Sequence, residues 1–409
     1  MRSLHAVLVE RTSPRLVELL AAALDGSGPA LLPLDAGLPP ARLAELIAAF
    51  APDTIEGPDG ETTARSGVKK EVADGTAVII GTSGSTGTSK GVQLSAAALL
   101  HSARASLARI GARPGERWLC CLPGTNIAGL QVLVRSLVGG TDPVLASNAD
   151  AATVAASGCA HVSLVPTQLR RLLHPDIDIS TPLAGFSSVL LGGAAAPPSL
   201  LQAARAAGVP VVTTYGMTET CGGCVYDGQP LDGVRVAIGD DDAPDGGGGR
   251  IWIGGPVLFS GYRSLTAAPA ADAVLADGWF RTGDLGQLDS AGQLTVRGRA
   301  DDVINTGGRK VVPGEVAAAL ETCPGVREVA VVGQPDAEWG ERVVAVVVPA
   351  DPANPPALEL LRLHVKERLP RYAAPSRVVV VDAVPLLPSG KYDIARLRLE
   401  LVRREQTQA

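Results

Sequence analysis

Short apolar runs alternate with amphipathic segments along the first half of the chain. Helices are predicted after Ser95, where a segment of about fifteen residues precedes Gly111, from Thr167 onwards, and over "PSLLQAARAAG". Strands are predicted for "TAVII" (76–80), "ERWLCCLP" (116–123), "HVSLVP" (161–166), "SSVLLGG" (187–193) and "VPVVTTYG" (209–216). Strands that alternate with helices predict a mostly parallel sheet with helices on both faces.

The pattern becomes rich in strands after Asp232. "VRVAIGDDDAPDGGGGRIWIGG" predicts a hairpin across a Gly-Asp turn, and residues 286–299 predict another with Asp-Ser-Ala-Gly at its tip. Beyond Arg299, helical "VPGEVAAALETCPGV" and "PALELLRLHVKERLP" alternate with the apolar strands "REVAVVGQPD", "ERVVAVVVPA" and "RVVVVDAVP". The polar segment 52–75 is predicted to be a surface excursion.

These patterns predict a two-domain fold. The large N-terminal domain, residues 1–299, is α/β, with mixed or parallel sheets, helices and a β-rich piece at about 232–299. The small C-terminal domain, residues 300–409, is α+β.

Composition limits the classes of function. Hydrophobic residues make up 46% of the chain and charged residues 19%, which supports a large core and argues against disorder. A net charge of −6 gives no general affinity for nucleic acid or for an anionic membrane. No apolar run reaches about twenty residues, so no membrane insertion is expected. The first ten residues lack the pattern of a signal peptide, and a cytoplasmic location is expected.

The six cysteines suggest neither a disulfide framework nor a metal site. Cys221 and Cys224 form a single CxxC, which is compatible with zinc or redox chemistry. No second pair accompanies it, so small buried thiols are the favoured interpretation.

The segment "GTSGSTGTSKG" (81–91) predicts a phosphate-binding loop. Glycines allow close approach of the backbone, successive N–H groups bind anions, and a following helix N-terminus would add positive potential. It is not a Walker A loop, because Ser89 precedes Lys90 where that motif needs Gly. A flexible linker is the alternative, disfavoured by the buried strand before it. The predicted contacts are Thr82, Ser83, Gly84, Ser85, Thr86, Gly87 and Lys90.

Five segments together resemble the adenylate-forming superfamily of acyl-CoA synthetases, luciferases and peptide-synthetase adenylation domains. They follow one another as the phosphate loop, "YGMTET" (215–220), "FRTGDL" (280–285), "GRADDVINTGGRKVVPGEVA" (298–317) and "LPSGKYD" (387–393), and they span about residues 76–393. The resemblance implies ATP, Mg²⁺ and coenzyme A as partners of a small-molecule carboxylic acid. It also implies a shortened N-terminal part and a mobile C-terminal domain.

The nucleotide contacts can be argued from residue chemistry as well. Tyr215 offers a flat face to adenine, Thr218 a donor to the α-phosphate, and Glu219 a hard oxygen ligand to Mg²⁺. Asp284 can accept bonds from ribose hydroxyls, and Arg299 can reach ribose or phosphate. The alternatives are a core tyrosine and solvated or turn-forming polar residues. By resemblance, Gly193 and Gly216 join the ATP site, and Thr86 joins Glu219 at the metal.

The resemblance also assigns a catalytic lysine for the first half of the reaction and a thiol tunnel for the second half. Lys391 would reach the α-phosphate and the substrate carboxylate as a catalytic residue with Thr218 and Glu219. Asp301 stands at the hinge position, and a swing about it would bring Gly307 and Gly308 to line a tunnel for the thiol of coenzyme A. A solvated C-terminal lysine is the alternative for Lys391.

The acyl pocket is predicted from Asn126, Gly192 and Gly216. Asn126 stands where the superfamily commonly has His in Pro-x-x-His-x-x-Gly; a simple turn is the alternative. Segments 122–140, 163–173 and 214–236 resemble the superfamily's o-succinylbenzoate–CoA ligase branch of actinobacterial menaquinone synthesis. That branch activates the succinyl carboxylate of an aromatic keto-acid with two carboxylates, and no residue for the second carboxylate is identified.

Three functions remain to be compared. The first is an AMP-forming acid–CoA ligase, for o-succinylbenzoate or for another aromatic or aliphatic acid. The second is an adenylation enzyme that loads a carrier-protein thiol, which the identity of the acceptor would distinguish. The third is a nucleotide-binding module without catalysis, which has no need for Lys391. The sequence leaves a monomer and a homodimer both open.

Overall fold

The computed structural model of the 409-residue chain describes residues 2–65, 72–83, 89–173, 182–239, 247–263, 275–386 and 392–408. The helices are α1 (Pro14–Asp25), α2 (Pro40–Phe50), α3 (Ala96–Arg109), α4 (Ile127–Val138), α5 (Ala151–Ala156), α6 (Pro166–Leu172), α7 (Pro198–Ala206), α8 (Pro313–Glu321), α9 (Leu358–Lys366) and α10 (Ile394–Gln408). Helix α3 starts as the sequence predicts, because Ser95 accepts a hydrogen bond from the Ala98 N–H of the first turn. Ser13 caps α1, which was not predicted, in the same way.

The strands form four sheets. The first contains β1 (Leu4–Val9), β2 (Ala30–Asp35), β3 (Thr54–Glu56), β4 (Thr62–Ala64), β5 (Thr76–Ser83), β6 (Ser89–Ser95) and β16 (Gly261–Arg263). The second contains β7 (Trp118–Cys120), β8 (Val144–Leu145), β9 (His161–Leu164), β10 (Ser188–Leu191), β11 (Val211–Met217), β12 (Gly222–Tyr226) and β13 (Gln229–Pro230). The third contains β14 (Arg235–Gly239), β15 (Gly249–Gly254), β17 (Leu275–Ala276), β18 (Trp279–Leu288) and β19 (Leu294–Arg299). The fourth contains β20 (Ile304–Thr306), β21 (Arg309–Val311), β22 (Val326–Asp336), β23 (Gly340–Pro349) and β24 (Arg377–Val380).

The second sheet confirms the parallel α/β pattern. Strands β8, β7, β9, β10 and β11 lie side by side in this order, and all four pairings between neighbours are parallel. The chain then reverses, and β12 pairs with β11 antiparallel. The carboxyl ends of parallel strands share one edge of a sheet, where α/β proteins commonly bind ligands. The predicted residues 192, 193, 215 and 216 lie at the ends of β10 and β11.

One prediction about the phosphate loop is wrong. The segment after the loop is not the start of a helix: Ser89–Ser95 is a strand that pairs antiparallel with β5, and α3 begins only at Ala96. The reason is visible in "SKGVQLS", where buried Val92 and Leu94 alternate with more exposed positions. The phosphate loop therefore joins two strands of a hairpin, and a helix N-terminus does not follow it directly.

The prediction for segment 52–75 is wrong in part. Thr54–Glu56 pairs in parallel with β1 inside the first sheet, and Glu56 is buried. Residues 62–64 are exposed on the sheet edge, as a surface excursion would be. The charged Glu56 made this segment appear exposed in the sequence. Its carboxylate can be buried because it forms an ion pair with Arg15 and contacts His5.

The third sheet confirms one of the two predicted hairpins. Strands β18 and β19 pair antiparallel, and Asp289 Oδ1 accepts hydrogen bonds from the N–H groups of Ala291 and Gln293 in the predicted turn. For the other predicted hairpin, β14 and β15 are neighbours, and its turn at residues 240–246 lies outside the described residues.

The fourth sheet explains the long valine runs of the C-terminal region. Alternate residues of β22 and β23 enter different cores: Val329 and Val343 pack towards α8 and α9, whereas Val332 and Val344 pack with Leu397 of α10. Both faces of this sheet are covered, so the central residues of β22 and β23 are apolar on both sides. Helix α10 was not predicted from the sequence, although its Leu397 and Leu401 have the spacing of a buried helix face.

By their internal contacts, residues fall into two compact units. One comprises Met1–Ala196, Ala203–Val236 and Ile253–Arg281, and the other comprises Pro197–Gln202, Ala237–Trp252 and Thr282–Ala409. The first and second sheets belong to the former, and the fourth to the latter. The domain boundary between residues 299 and 300 stays a prediction. Among the helices that the structure describes, none is long and apolar enough to cross a membrane.

Candidate functional site

Lys90 lies on β6, directly after the phosphate loop. Thr82 and Lys90 are paired across β5 and β6, and the Thr82 hydroxyl donates to the Lys90 carbonyl at 3.2 Å. Of the other predicted loop contacts, Ser83 is placed at the end of β5. Gly84, Ser85, Thr86 and Gly87 lie outside the described residues. The antiparallel pairing fixes the position of Lys90 at the base of the loop.

Thr218 and Glu219 belong to a single 3₁₀ turn, Thr218–Thr220, between β11 and β12. Buried Thr220 holds this turn: its hydroxyl accepts from the Met217 N–H at 2.9 Å and donates to the Gly222 carbonyl at 2.8 Å. Cys221 closes the turn with a φ of 53°. The "YGMTET" motif therefore carries its own internal support for Glu219.

A tyrosine that no motif indicated lies between the two predicted charged groups. The Tyr262 hydroxyl donates to Glu219 Oε1 at 2.8 Å, and Lys90 Nζ lies 5.5 Å from the centre of the Tyr262 ring. Burial and the negative charge of Glu219 raise the pKa of the Tyr262 hydroxyl above its ordinary value. The structure thus brings Lys90 and Glu219 to opposite parts of one aromatic side chain.

Glycines at the strand ends allow main chains to approach closely. A Cβ on Gly216 would lie 2.0 Å from the Gly222 carbonyl oxygen, and one on Gly192 would lie 2.2 Å from Thr214 Oγ1. Gly193 has a φ of 82°, in the left-handed region. Tyr215 is half-buried on β11, where the register with β12 shifts between Tyr215 and Gly216. These glycines have a structural reason in addition to their predicted roles at the ATP and acyl sites.

Asn126 precedes α4 and is exposed. Its side chain makes no capping hydrogen bond to the helix, although its backbone is extended as at an N-cap. Behind it, a Cβ on Gly129 would lie 2.2 Å from the Pro123 carbonyl oxygen, so the "PGTNIAG" turn is tight. The turn that was the alternative interpretation is present, and the predicted pocket role of Asn126 is compatible with its exposed amide.

Asp284 and Arg299 are cross-strand neighbours on β18 and β19. Arg299 Nη1 lies 3.3 Å from Asp284 Oδ1, and its Nη2 lies 3.4 Å from Asp301 Oδ2. Partial burial lowers the pKa of Arg299, but the charges of Asp284 and Asp301 outweigh this effect and hold the pKa above its ordinary value. The two residues predicted to contact ribose form an ion pair with each other, and Arg299 forms a second one with the predicted hinge residue Asp301.

Gly307 and Gly308 form the two-residue turn between β20 and β21. Both have positive φ, 55° and 74°, as such hairpin turns require. A Cβ on Gly307 would lie 2.7 Å from the Trp339 ring, whereas Gly308 has open space. The turn alone explains both glycines, so their role in a tunnel stays a prediction. Lys391 lies outside the described residues.

The oxygen donors suit a magnesium ion shared with a nucleotide. Within the described ranges, no group of three or more His, Cys, Asp or Glu residues could hold a metal ion. Mg²⁺ is commonly held by one or two carboxylates together with substrate phosphates, and the Glu219 carboxylate can supply such a ligand. The CxxC cysteines are unsuited to metal: burial raises the pKa of Cys224 to about 12 and that of Cys221 further.

Sequence reasoning missed Thr220 and Tyr262. Thr220 lies inside a recognised motif, and its burial between two strands gives it a structural role that a motif does not reveal. Tyr262 lies more than forty residues after Glu219 and reaches it only because β16 returns to pair with β6. In a chain with 3% aromatic residues, the tyrosine within "SGYR" (260–263) was the available signal.

Comparison with known proteins identifies the family of this chain. A family model described as AMP-binding enzyme matches residues 51–263, and one described as AMP-binding enzyme C-terminal domain matches residues 315–391. The probable 2-succinylbenzoate–CoA ligase of Mycobacterium tuberculosis (strain CDC 1551 / Oshkosh) is 42% identical to this chain over 415 residues, which cover 99% of this chain and 98% of that protein.

Two further proteins show the range of similarity. The indoleacetate–CoA ligase of Aromatoleum aromaticum is 36% identical over 350 residues, covering 80% of this chain and 68% of that protein. The structure of o-succinylbenzoate CoA synthetase (MenE) from Bacillus subtilis, in complex with the acyl-adenylate intermediate OSB-AMP, has a TM-score of 0.80 and 29% identity. That alignment covers 98% of this chain and 88% of the other.

Proposed function

The chain belongs to the AMP-binding enzyme family, and from this membership we propose that it is an ATP-dependent ligase that joins o-succinylbenzoate to coenzyme A. The observation that carries the proposal is 42% identity with a probable 2-succinylbenzoate–CoA ligase along nearly the whole length of both chains. The retained Lys90, Glu219, Asp284 and Lys391 support catalysis over simple nucleotide binding.

The proposed reaction has two steps. A carboxylate oxygen of the acid attacks the α-phosphorus of ATP, an acyl-adenylate forms, and pyrophosphate leaves. The thiol of coenzyme A then attacks the acyl carbon, the thioester forms, and AMP leaves with the electron pair of the broken C–O bond. ATP and coenzyme A are thus substrates rather than resident cofactors.

The first step brings an anion to an anion, so positive charge must be supplied. We assign that role to Lys90 and Lys391, with Glu219 and Thr86 as the residues that would hold Mg²⁺. When bound, the metal ion would neutralise phosphate charge. Tyr215 is assigned to adenine, Asp284 and Arg299 to ribose, and Thr218 to the α-phosphate. Thr82, Ser83, Gly84, Ser85, Gly87, Gly193 and Gly216 complete the proposed ATP site.

The second step needs a different environment at the same acyl group. We assign residues 300–409 to a mobile domain that turns about Asp301, which would exchange Lys391 for the turn at Gly307 and Gly308. Asn126, Gly192 and Gly216 are assigned to the acyl pocket. An asparagine at 126 keeps hydrogen bonding, but it carries no titratable charge, so the acyl pocket would lack the pH response of a histidine.

A direct assay tests the acid. Purified protein with ATP, Mg²⁺ and o-succinylbenzoate should release pyrophosphate, and addition of coenzyme A should yield the thioester and AMP. A phosphopantetheinyl carrier protein in place of coenzyme A distinguishes the carrier-loading alternative. Absence of pyrophosphate with o-succinylbenzoate, together with turnover of another acid, would reject the substrate and keep the class.

A second candidate substrate class is an aryl-acetate with one carboxylate. The observation that favours it is 36% identity with an indoleacetate–CoA ligase. The same assay with indoleacetate and o-succinylbenzoate in parallel compares kcat/KM for the two acids. We expect the acid with two carboxylates to be preferred.

A further inference from the structure

We infer that Tyr262 is a positioning residue of the nucleotide site, which holds the Glu219 carboxylate for the metal ion and keeps the Lys90 ammonium free for phosphate. The inference rests on the proposed function, because it takes Glu219 and Lys90 as groups that meet Mg²⁺ and ATP. It adds a residue that none of the five motifs contains, in a strand that pairs with the phosphate-loop hairpin.

The main chain around Tyr262 is fixed on both sides. Gly261, Tyr262 and Arg263 pair with Gln93, Val92 and Gly91 of β6, and the Ser260 N–H donates to the Gln93 carbonyl at 2.9 Å. Buried Arg263 anchors the strand from the other side, since its Nε donates to the Phe50 carbonyl at 2.8 Å. The main-chain position from which the Tyr262 side chain extends is therefore fixed next to the strand that carries Lys90.

The same segment also holds the main chain of Glu219. The Phe259 N–H donates to the Glu219 carbonyl at 2.9 Å, and the Phe259 ring packs against the Tyr262 ring with their centres 4.8 Å apart. Glu219 is thus held twice, at its carbonyl by Phe259 and at its carboxylate by Tyr262. Two contacts fix both the position and the orientation of this carboxylate.

The Tyr262 hydroxyl is the donor of this contact, at 2.8 Å from Glu219 Oε1. Its bond occupies Oε1, and the described residues offer no further hydrogen bond to this carboxylate, which leaves Oε2 as the oxygen for a metal ion. A bond to a charged acceptor is stronger than one between neutral groups.

The ring also separates two opposite charges. In the described part of the chain, Lys90 and Glu219 form no ion pair, although both contact Tyr262. In a direct ion pair, Lys90 would neutralise Glu219 and neither group could bind its own ligand. The Lys90 ammonium lies instead 5.5 Å from the ring centre, where it gains a weak cation–π attraction and stays available for phosphate. Tyr262 thereby keeps a cation for phosphate and an anion for metal in one site.

The test measures ATP binding with and without metal. The dissociation constant of ATP is determined by calorimetry twice, once in excess Mg²⁺ and once in EDTA. The constant in EDTA divided by the constant in Mg²⁺ is the ratio that reports how strongly the metal assists binding. Tyr262→Phe removes only the hydroxyl, so the ratio should fall about tenfold, mainly through weaker binding in Mg²⁺. Tyr262→Leu also removes the ring, so it should weaken metal-free binding as well, through Lys90.

Tyr226→Phe is the matched control. Tyr226 is buried in the same unit, and its hydroxyl is hydrogen-bonded to Ser106 at 2.7 Å, away from Glu219 and Lys90. This variant should lose stability and keep the wild-type ratio. An unchanged ratio in Tyr262→Phe, or an equal fall in Tyr226→Phe, would overturn the positioning role of Tyr262. If the wild type still releases pyrophosphate in that case, the proposed function stands. A wild type that binds no ATP in either buffer rejects the proposed function and this inference together.

Discussion

At the scale of single residues, the site depends on side chains that support the charged groups rather than on the charged groups alone. Glu219 could be assigned from its motif, but its orientation follows from Tyr262 and its turn from Thr220. Such supporting residues are buried or half-buried and bind main-chain atoms or single oxygens. Their replacement should therefore change geometry as well as stability.

Thr220 gives the first prediction. Thr220→Val keeps the shape of the side chain but leaves the Met217 N–H and the Gly222 carbonyl without this partner. The free energy of unfolding should fall by about 1–3 kcal/mol, and pyrophosphate release should fall with it because the turn that carries Glu219 loosens. Denaturant unfolding and the release assay measure the two effects. Thr220→Ser retains the hydroxyl, and a loss as large as that of Val would contradict this account.

Gly216 gives the second prediction. Gly216→Ala would place a methyl group 2.0 Å from the Gly222 carbonyl oxygen, so β11 and β12 must separate. We expect a loss of roughly 1–3 kcal/mol in unfolding free energy and a larger loss in adenylation. Gly185→Ala is the control, since a Cβ there meets no atom within 4 Å. If the two variants unfold at the same denaturant concentration, the close approach at Gly216 is not important.

At the scale of elements, the sequence predicts strands and helices well where one pattern acts alone. The parallel strands of the second sheet, the hairpin at Asp289 and the strands of the fourth sheet follow from apolar runs and turn residues. The prediction fails where tertiary pairing decides. "SKGVQLS" is too short to distinguish a strand from a helix start, and only its pairing with β5 and β16 makes it a strand.

The candidate site likewise contains residues that a local motif indicates and residues that only tertiary pairing brings into contact. Glu219, Asp284 and Lys90 could be found because their chemistry is local to a motif. Tyr262 could not, because its role depends on β16 returning to β6 across a long stretch of chain. Glu56 is a second example: a charged residue reads as exposed until the structure shows Arg15 and His5 beside it.

Strands β9 and β10 and the segment before β7 give a prediction about pH. Buried His161 contacts Ser188 Oγ at 2.9 Å and Glu116 Oε2 at 3.1 Å, and burial lowers its pKa although Glu116 opposes the shift. A lowered pKa means that the unfolded chain binds the proton more readily. The stabilising contribution is therefore complete above the unfolded pKa of about 6.5 and is lost as pH falls below it.

His161→Gln removes this proton uptake. In wild-type protein the free energy of unfolding should fall between pH 7 and 5, and the variant should show a shallower slope over that range whatever its absolute stability. Denaturant unfolding at several pH values measures the slopes. Equal slopes in the two proteins would show that His161 does not titrate differently in the folded and unfolded states.

At the scale of the whole molecule, the residues assigned to the proposed reaction divide between two compact units. Lys90 and Glu219 belong to the first compact unit, whereas Asp284, Arg299 and the segment after residue 300 belong to the second. The family matches likewise fall in two parts, at residues 51–263 and 315–391. The proposed exchange of groups between the two steps stays a prediction.

Lys391 gives the prediction at this scale. Lys391→Ala should retain ATP binding, because the loop, Tyr215 and Asp284 are intact, and it should lower adenylate formation by about a hundredfold or more. Thioester formation from supplied acyl-adenylate and coenzyme A should persist. Lys366→Ala, a change at the last turn of α9, serves as the control for loss of one positive charge. Unchanged adenylation in Lys391→Ala would remove this lysine from the first step.

The most direct test follows an oxygen atom. Protein is incubated with ATP, Mg²⁺, coenzyme A and o-succinylbenzoate whose succinyl carboxylate carries ¹⁸O, and the AMP is analysed by mass spectrometry. If the carboxylate attacks the α-phosphorus, each AMP acquires one labelled oxygen when the thiol displaces it. AMP that carries no label, or label found in inorganic phosphate with ADP as the nucleotide product, would contradict the account.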